Sequence, residues 1–109
     1  MAFGSAVGRR TTTELLLGIL GYDDGLTAQQ VAALTRFHQQ WRPDVVSAED
    51  GALDPATVKA LEAMGHTVNA GEPTWGNLQT VEWDKRTNTL SGGSDPRNPV
   101  GNAAVLSQP

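Results

Sequence analysis

Three helix-start signals divide residues 11–65, and they constrain the fold of this chain more than any other feature of its sequence. The first two are capping boxes, Thr-x-x-Glu or Thr-x-x-Gln, whose side chains satisfy two backbone amides at a helix start. In the third, an aspartate suited to the N-cap precedes a proline suited to the first helical position. The three pairs are Thr11–Glu14, Thr27–Gln30 and Asp54–Pro55. We therefore expect three helices, the first ending at Gly21, the second reaching Phe37 and the third ending at Gly65.

The segments between and after these helices are typical of short strands. Residues 77–84 and 89–93 are rich in β-forming side chains around the turn 85–88, which predicts a hairpin. Residues 44–49 and 66–69 are expected to be short extended pieces. The order helix, helix, strand, helix and three strands predicts an α+β fold with three helices and a small, mainly antiparallel sheet.

The first helix is too apolar for an ordinary surface helix. Its apolar run is Leu15, Leu16, Leu17, Ile19 and Leu20. We expect such a helix to be buried on more than one side, and a chain of 109 residues supplies few neighbours for it. The sequence therefore indicates either a segment of a larger core or a chain that self-associates, since both would cover the helix equally well.

Composition narrows the classes of partner and location. Eight basic and twelve acidic residues give a net charge of −4, and without a basic patch a nucleic-acid partner is disfavoured. The run from Leu15 to Leu20 is far shorter than the roughly 20 residues of a membrane span. The start MAFGSAVGRR is not typical of a signal peptide. The glycine- and proline-bearing residues 98–109 are predicted to form a flexible tail.

The two histidines do not predict a metal or cofactor site. His38 and His66 lie far apart, with no further ligand at a coherent spacing, whereas zinc takes three or four. The stretch TRFHQQWRPDVV, residues 35–46, is interpreted as structural. In that interpretation His38 satisfies backbone groups at the end of the second helix and Trp41 packs against the protein. We assign no catalytic side chain, no metal and no cofactor.

Two glycine-bearing turns are open to two interpretations each. Gly4-Ser5-Ala6-Val7-Gly8 stands before the first helix, where backbone amides suit an anion or an oxyanion, although glycine is also common in plain turns. Gly92-Gly93-Ser94-Asp95-Pro96-Arg97 is either a tight turn at a strand end or a close approach of the backbone to another segment.

Four segments of the sequence, taken in order, carry a resemblance to a known family. They are GSAVGRRTTTELLLGIL, GYDDGLTAQQVAALTRFHQQW, LDPATVKALEAMGHTV and the pair GNLQTVEWD and LSGGSDPR. Together they resemble the C-terminal part of the small subunit of the γ-glutamyltranspeptidase, or glutathione hydrolase, family. The second segment is similar to a family run that ends in Arg-Phe-His-His-Gln-Trp, and the last to a closing hairpin with Gly-Ser-Asp-Pro-Arg. The resemblance covers residues 4–97, which we take as one family segment ahead of the tail.

The resemblance implies an αββα N-terminal nucleophile hydrolase, with γ-glutamyltransferase and glutathione hydrolase activity in the assembled enzyme. In that family a precursor cleaves itself, and the new N-terminal threonine of the small subunit attacks a γ-glutamyl amide. The resemblance begins beyond the position of that threonine, so we expect the chain alone to be inactive. The family turn Gly-Ser-Pro-Gly-Gly supplies oxyanion-hole amides, which places this role on the backbone N–H groups of Val7 and Gly8.

The partners implied are the large subunit and the threonine-bearing part of the small subunit, with a small γ-glutamyl substrate bound only after assembly. The family also suggests a periplasmic or extracellular location. Two alternatives stay open: a non-catalytic, stand-alone interaction module derived from this fold, and part of a related amide acylase. Whether this chain by itself is an enzyme is not decided by its sequence.

Overall fold

The computed structural model describes residues 1–106 and divides the chain into two compact units. Unit 1 combines residues 1–34 with the segment from residue 76 onward, and unit 2 is residues 35–75. The predicted tail, 98–109, is described only as far as residue 106, and residues 107–109 lie outside the described part of the chain. Its flexibility therefore stays a prediction.

Three α-helices, a short 3-10 helix and six strands make up residues 1–106. In chain order they are β1 (Ala2–Gly4), the 3-10 helix (Gly8–Arg10), α1 (Thr11–Asp23), α2 (Ala28–Ala33), β2 (Phe37–His38), β3 (Val46–Glu49), α3 (Pro55–Ala63), β4 (Val68–Glu72), β5 (Gln79–Asp84) and β6 (Thr89–Ser94). The α+β class is confirmed, with three α-helices and small sheets of mainly antiparallel pairing. No helix of residues 1–106 is long and apolar enough to span a bilayer.

Unit 1 is a three-stranded antiparallel sheet with two helices. Its strand order is β1-β5-β6. The hydroxyl of Thr80 on β5 donates a 2.8 Å hydrogen bond to the carbonyl oxygen of Ala28, and the side chain of Gln29 both donates to and accepts from the backbone of Ser94 on β6. These bonds hold α2 against the sheet, and the side chains of Val31 on α2 and of Leu78 before β5 are buried.

Unit 2 is a mixed three-stranded sheet, in the order β2-β3-β4, with the single helix α3. β2 and β3 are antiparallel, whereas β3 and β4 are parallel and are joined through α3. The carboxylate of Glu49 accepts the backbone N–H groups of Arg36 and Trp75 at 3.0 and 3.1 Å. The hydrogen bonds of this buried carboxylate therefore link the beginning and the end of unit 2 to β3.

Two of the three predicted helix starts are confirmed in atomic detail. Thr27 and Gln30 form the complete capping box of α2, and Asp54 caps α3 by accepting the Thr57 N–H at 2.7 Å. The first helix does begin at Thr11, but its predicted capping box is wrong, because Thr11 is the first helical residue and the N-cap, Arg10, makes no side-chain cap.

Helix lengths and burial differ from the predictions in three ways. α1 continues past Gly21 to Asp23, whereas α2 ends at Ala33, and Phe37 belongs to a strand. The buried positions of α1 are Glu14, Gly18 and Gly21, while Leu16, Ile19 and Leu20 are about half exposed. Residues 2–4, for which no strand was predicted, pair with β5.

Candidate functional site

The turn between β1 and α1, residues 4–8, is the site that the sequence predicts, and two side chains of α1 hold it. The Ser5 hydroxyl donates a 2.7 Å hydrogen bond to the Glu14 carboxylate, which is completely buried. The Val7 N–H donates to the Thr11 hydroxyl oxygen at 3.2 Å. The antiparallel pairing of Gly4 with Gln79 fixes the other end of the turn on the sheet. The turn is thus anchored on both sides.

Gly8 has the backbone conformation that restricts this turn to glycine. Its φ is +62°, while Val7 has φ −128° and ψ 25°. A Cβ built on Gly8 would meet no atom within 4 Å, so the requirement comes from the left-handed φ and not from lack of space. Within residues 4–8, Gly8 is therefore the position whose backbone conformation favours glycine.

The two predicted amides differ in their hydrogen bonding. The Val7 N–H is engaged by Thr11, whereas within residues 1–106 the Gly8 N–H donates no hydrogen bond. Gly8 is exposed, and Arg9, which follows it, is exposed as well. A backbone N–H that no internal acceptor engages can donate to a developing negative charge. The assignment of oxyanion-hole amides to Val7 and Gly8 stays a prediction, and this geometry favours Gly8.

Both histidines lie in unit 2, and His38 belongs to β2 rather than to the end of the second helix, where it was predicted. The His38 Nε2 is 3.0 Å from the Gln40 side-chain oxygen, and its ring meets that of Trp75 edge-on at 6.1 Å. The predicted packing of Trp41 is wrong, because its side chain is 85% exposed beside Arg42. Within residues 1–106, no three His, Asp or Glu side chains are grouped so that they could hold a metal ion.

The turn Gly92–Arg97 is a close backbone approach, the second of the two interpretations left open by the sequence. Gly93 lies against the Ala28 backbone. The buried Asp95 accepts the Leu78 N–H at 2.9 Å and pairs with Arg97 at 3.1 Å. This turn therefore stabilises the junction of α2 with the sheet.

The roles of Ser5, Thr11 and Glu14 around the predicted turn were missed by sequence reasoning. The pair Thr11 and Glu14 has the spacing of a capping box, and that pattern concealed their contacts with residues 5 and 7. The only signal that could have found them is that a carboxylate at position 14 shares a helix face with Gly18 and Gly21, because a polar residue on a buried face needs a partner.

Comparison with known proteins matches residues 1–105 to the family model described as γ-glutamyltranspeptidase. A glutathione hydrolase proenzyme of Escherichia coli (strain K12) is 38% identical over 96 residues, which cover 87% of this chain and 16% of that protein. The corresponding proenzyme of Pseudomonas sp. (strain A14) is 38% identical over 74 residues, 67% of this chain and 13% of that protein.

Among solved structures, the γ-glutamyltranspeptidase of Pseudomonas nitroreducens complexed with L-DON superposes with a TM-score of 0.79 at 27% identity. The match covers 96% of this chain and 54% of that one. The chain thus spans about a sixth of the E. coli proenzyme and about half of the solved chain, and its described strands and helices correspond to part of a larger enzyme. Because the family model matches residues 1–105 of the 109 in this chain, the chain belongs to the γ-glutamyltranspeptidase family.

Proposed function

We propose that this chain is the C-terminal segment of the small subunit of a γ-glutamyl-transferring or glutathione-hydrolysing enzyme, and that it contributes the turn at residues 4–8 to the acyl site. The observation that carries this proposal is that Gly8 is exposed, and its N–H is without an acceptor within residues 1–106, in a turn anchored by Ser5 and Val7. An amide fixed in this way needs no reorganisation when negative charge develops on the substrate carbonyl oxygen.

In this proposal the segment supplies electrostatic stabilisation and the remainder of the enzyme supplies the nucleophile. A threonine outside this segment attacks the γ-glutamyl amide, with its own amino group as base. The carbonyl oxygen becomes an oxyanion, which accepts the hydrogen bond of the turn. When the tetrahedral intermediate collapses, the C–N bond breaks and the amine leaves with the proton that the amino group took from the hydroxyl. Water or an acceptor amine then cleaves the resulting acyl ester and returns a proton to the threonine oxygen. The isolated chain is therefore inactive toward γ-glutamyl compounds.

A segment replacement tests the proposal. The matched 96 residues of the E. coli glutathione hydrolase are replaced by this chain, which gives the hybrid enzyme. We expect the hybrid enzyme to release p-nitroaniline from a γ-glutamyl anilide and the purified chain alone to release none. A hybrid that folds as the parent does but has no activity would contradict the proposal, as would robust turnover by the isolated chain.

The alternative of a stand-alone interaction module has one observation in its favour. Leu16, Ile19 and Leu20 on α1 are about half exposed, as are Val81 and Trp83 on β5. Exposed apolar faces of this kind mark interaction surfaces. Size-exclusion chromatography distinguishes the two proposals, because a monodisperse monomer or dimer indicates an independent module. Aggregation of the isolated chain indicates a segment that requires the rest of the enzyme.

A further inference from the structure

We infer that Thr11 is a positioning residue that withdraws the Val7 amide from the acyl site and leaves the Gly8 amide as the donor that this turn presents. The inference rests on the proposed function. It assigns the donor role to the Gly8 amide alone. The Thr11 hydroxyl determines this assignment, because it engages the Val7 amide.

The first step is the hydrogen bond of Val7. An N–H has a single hydrogen and makes one good bond at a time. In this structure that bond runs to the Thr11 hydroxyl oxygen, at 3.2 Å. An oxyanion could use the Val7 amide only after this contact is broken, which would leave the hydroxyl oxygen without its donor. Gly8 faces no such competition among residues 1–106.

The second step is the anchoring of Ser5. Its hydroxyl donates to the Glu14 carboxylate at 2.7 Å, and Glu14 is completely buried. Breaking a hydrogen bond to a buried group costs the desolvation penalty of the partner that is left unsatisfied. Thr11 and Glu14 lie three positions apart, on neighbouring points of one helix face. The two bonds hold residues 5 and 7, and so prevent the turn from rotating to exchange one amide for the other.

The consequence is a kinetic signature. An oxyanion donor acts on a charge that exists only in the transition state, so a displaced donor lowers kcat and leaves KM nearly unchanged. Thr11→Val removes the acceptor at nearly constant volume and releases the turn, and we expect kcat of the hybrid enzyme to fall on the order of tenfold to a hundredfold. Thr11→Ser keeps the hydroxyl and restores kcat to within about threefold of the parent.

Thr12→Val is the matched control, because Thr12 is the exposed neighbour on the same helix. This variant keeps the kinetics of the hybrid enzyme. Equal kcat in Thr11→Val and Thr12→Val would overturn the inference, and so would a Thr11→Val effect confined to KM. A Thr11→Ser variant as impaired as Thr11→Val would also overturn it, because the effect would then come from packing.

Amide exchange measured by NMR on the full 109-residue chain separates the inference from the proposed function. We expect the Val7 N–H to be protected and the Gly8 N–H to exchange freely, with Val7 losing its protection in Thr11→Val. An unprotected Val7 amide in the unsubstituted chain would overturn the inference whatever the activity of the hybrid enzyme. An inactive hybrid with Val7 still protected would overturn the proposed function, and the donor role of Gly8 with it.

Discussion

Gly93 of β6 and Ala28 of α2 approach so closely that no side chain fits between their backbones. A Cβ on Gly93 would lie 2.6 Å from the carbonyl carbon of Ala28, nearer still to its oxygen, and 2.6 Å from the Thr80 hydroxyl oxygen. The Ala28 carbonyl also accepts a hydrogen bond from the Thr80 hydroxyl, so α2 cannot move away from the sheet without breaking a buried hydrogen bond. Glycine at 93 is therefore a condition for packing α2 on the sheet.

Gly93→Ala is accordingly expected to destabilise unit 1 severely. Overpacking of this kind costs about 1–3 kcal/mol. A shift of α2 that relieved the overlap would leave the Thr80 hydroxyl without its acceptor, which adds to the cost. Gly4→Ala is the control, because a Cβ there meets nothing within 4 Å and the position has no positive φ. Urea unfolding measures both variants. Equal midpoints for the two would contradict the close approach.

Glu49 makes a comparable contribution to unit 2. Glu49→Gln leaves one oxygen for the two backbone N–H groups of Arg36 and Trp75, and it places an amide NH₂ against the second. Loss of a buried bond to a charged acceptor costs about 1.5–3 kcal/mol. Glu62→Gln on the exposed face of α3 is the matched control and should change stability by less than about 0.5 kcal/mol. Chemical denaturation followed by circular dichroism tests this. A Glu49→Gln variant as stable as the control would show that the two bonds add nothing.

Local chemistry predicted the parts of the fold that depend on neighbours in sequence. The caps at Thr27 and Asp54 were predictable because each needs only residues within one turn. The strand β1 was not, since Ala2–Gly4 has no strand signal of its own and is extended only because it pairs with β5. The end of α2 escaped prediction for the same reason, because the Arg36 carbonyl accepts the Glu49 N–H thirteen residues on, at 2.9 Å.

The candidate site was predictable only in outline. The glycine pattern located the turn at residues 4–8, but which amide faces outward depends on Thr11 and Glu14. Their side chains had been given a capping role because their spacing fits one. α1 was predicted to be buried on more than one side, whereas Leu16, Ile19 and Leu20 are about half exposed in this chain, because composition measures how apolar a helix is and not where its partner lies. In this chain the small residues Gly18 and Gly21 face the core, where Leu78 and Leu34 fill the space.

The cap of α3 predicts a pH dependence of known sign. The Thr57 N–H holds the pKa of Asp54 below its ordinary value of 3.8. A lowered folded-state pKa contributes stability that is present above the unfolded value and is lost as pH falls through the folded one. The pKa of Asp84 is lowered by its hydrogen bonds with Arg86, and that residue acts with the same sign. The contribution of Asp54 is therefore measured as the difference in stability between the chain and a variant at position 54.

We expect the melting temperature of Asp54→Asn, measured by circular dichroism, to lie a few degrees below that of the parent at about pH 6. The gap should narrow as the pH falls below about 3.8, where the parent loses its charge while the variant, also a good cap, does not titrate. A gap that is constant over this range would mean that the carboxylate charge has no part in capping α3.

The exposed stripe of α1 distinguishes a segment from an independent protein. Leu16 and Leu20 are one turn apart and are 53% and 51% exposed, so replacing both with glutamine removes little packing within the chain and should change its stability by no more than about 0.5 kcal/mol. The same change places two amides where a partner would bury leucine, and because each leucine is only half exposed, each would lose about half of the roughly 1.5–3 kcal/mol of full burial. We therefore expect Leu16→Gln/Leu20→Gln to reduce aggregation of the isolated chain, as read by size-exclusion chromatography, and to prevent accumulation of the folded hybrid enzyme. Thr12→Gln on the same helix, at an already polar exposed position, should do neither. A doubly substituted hybrid that assembles and turns over normally would show that the stripe faces solvent in the enzyme too, and would favour the independent module.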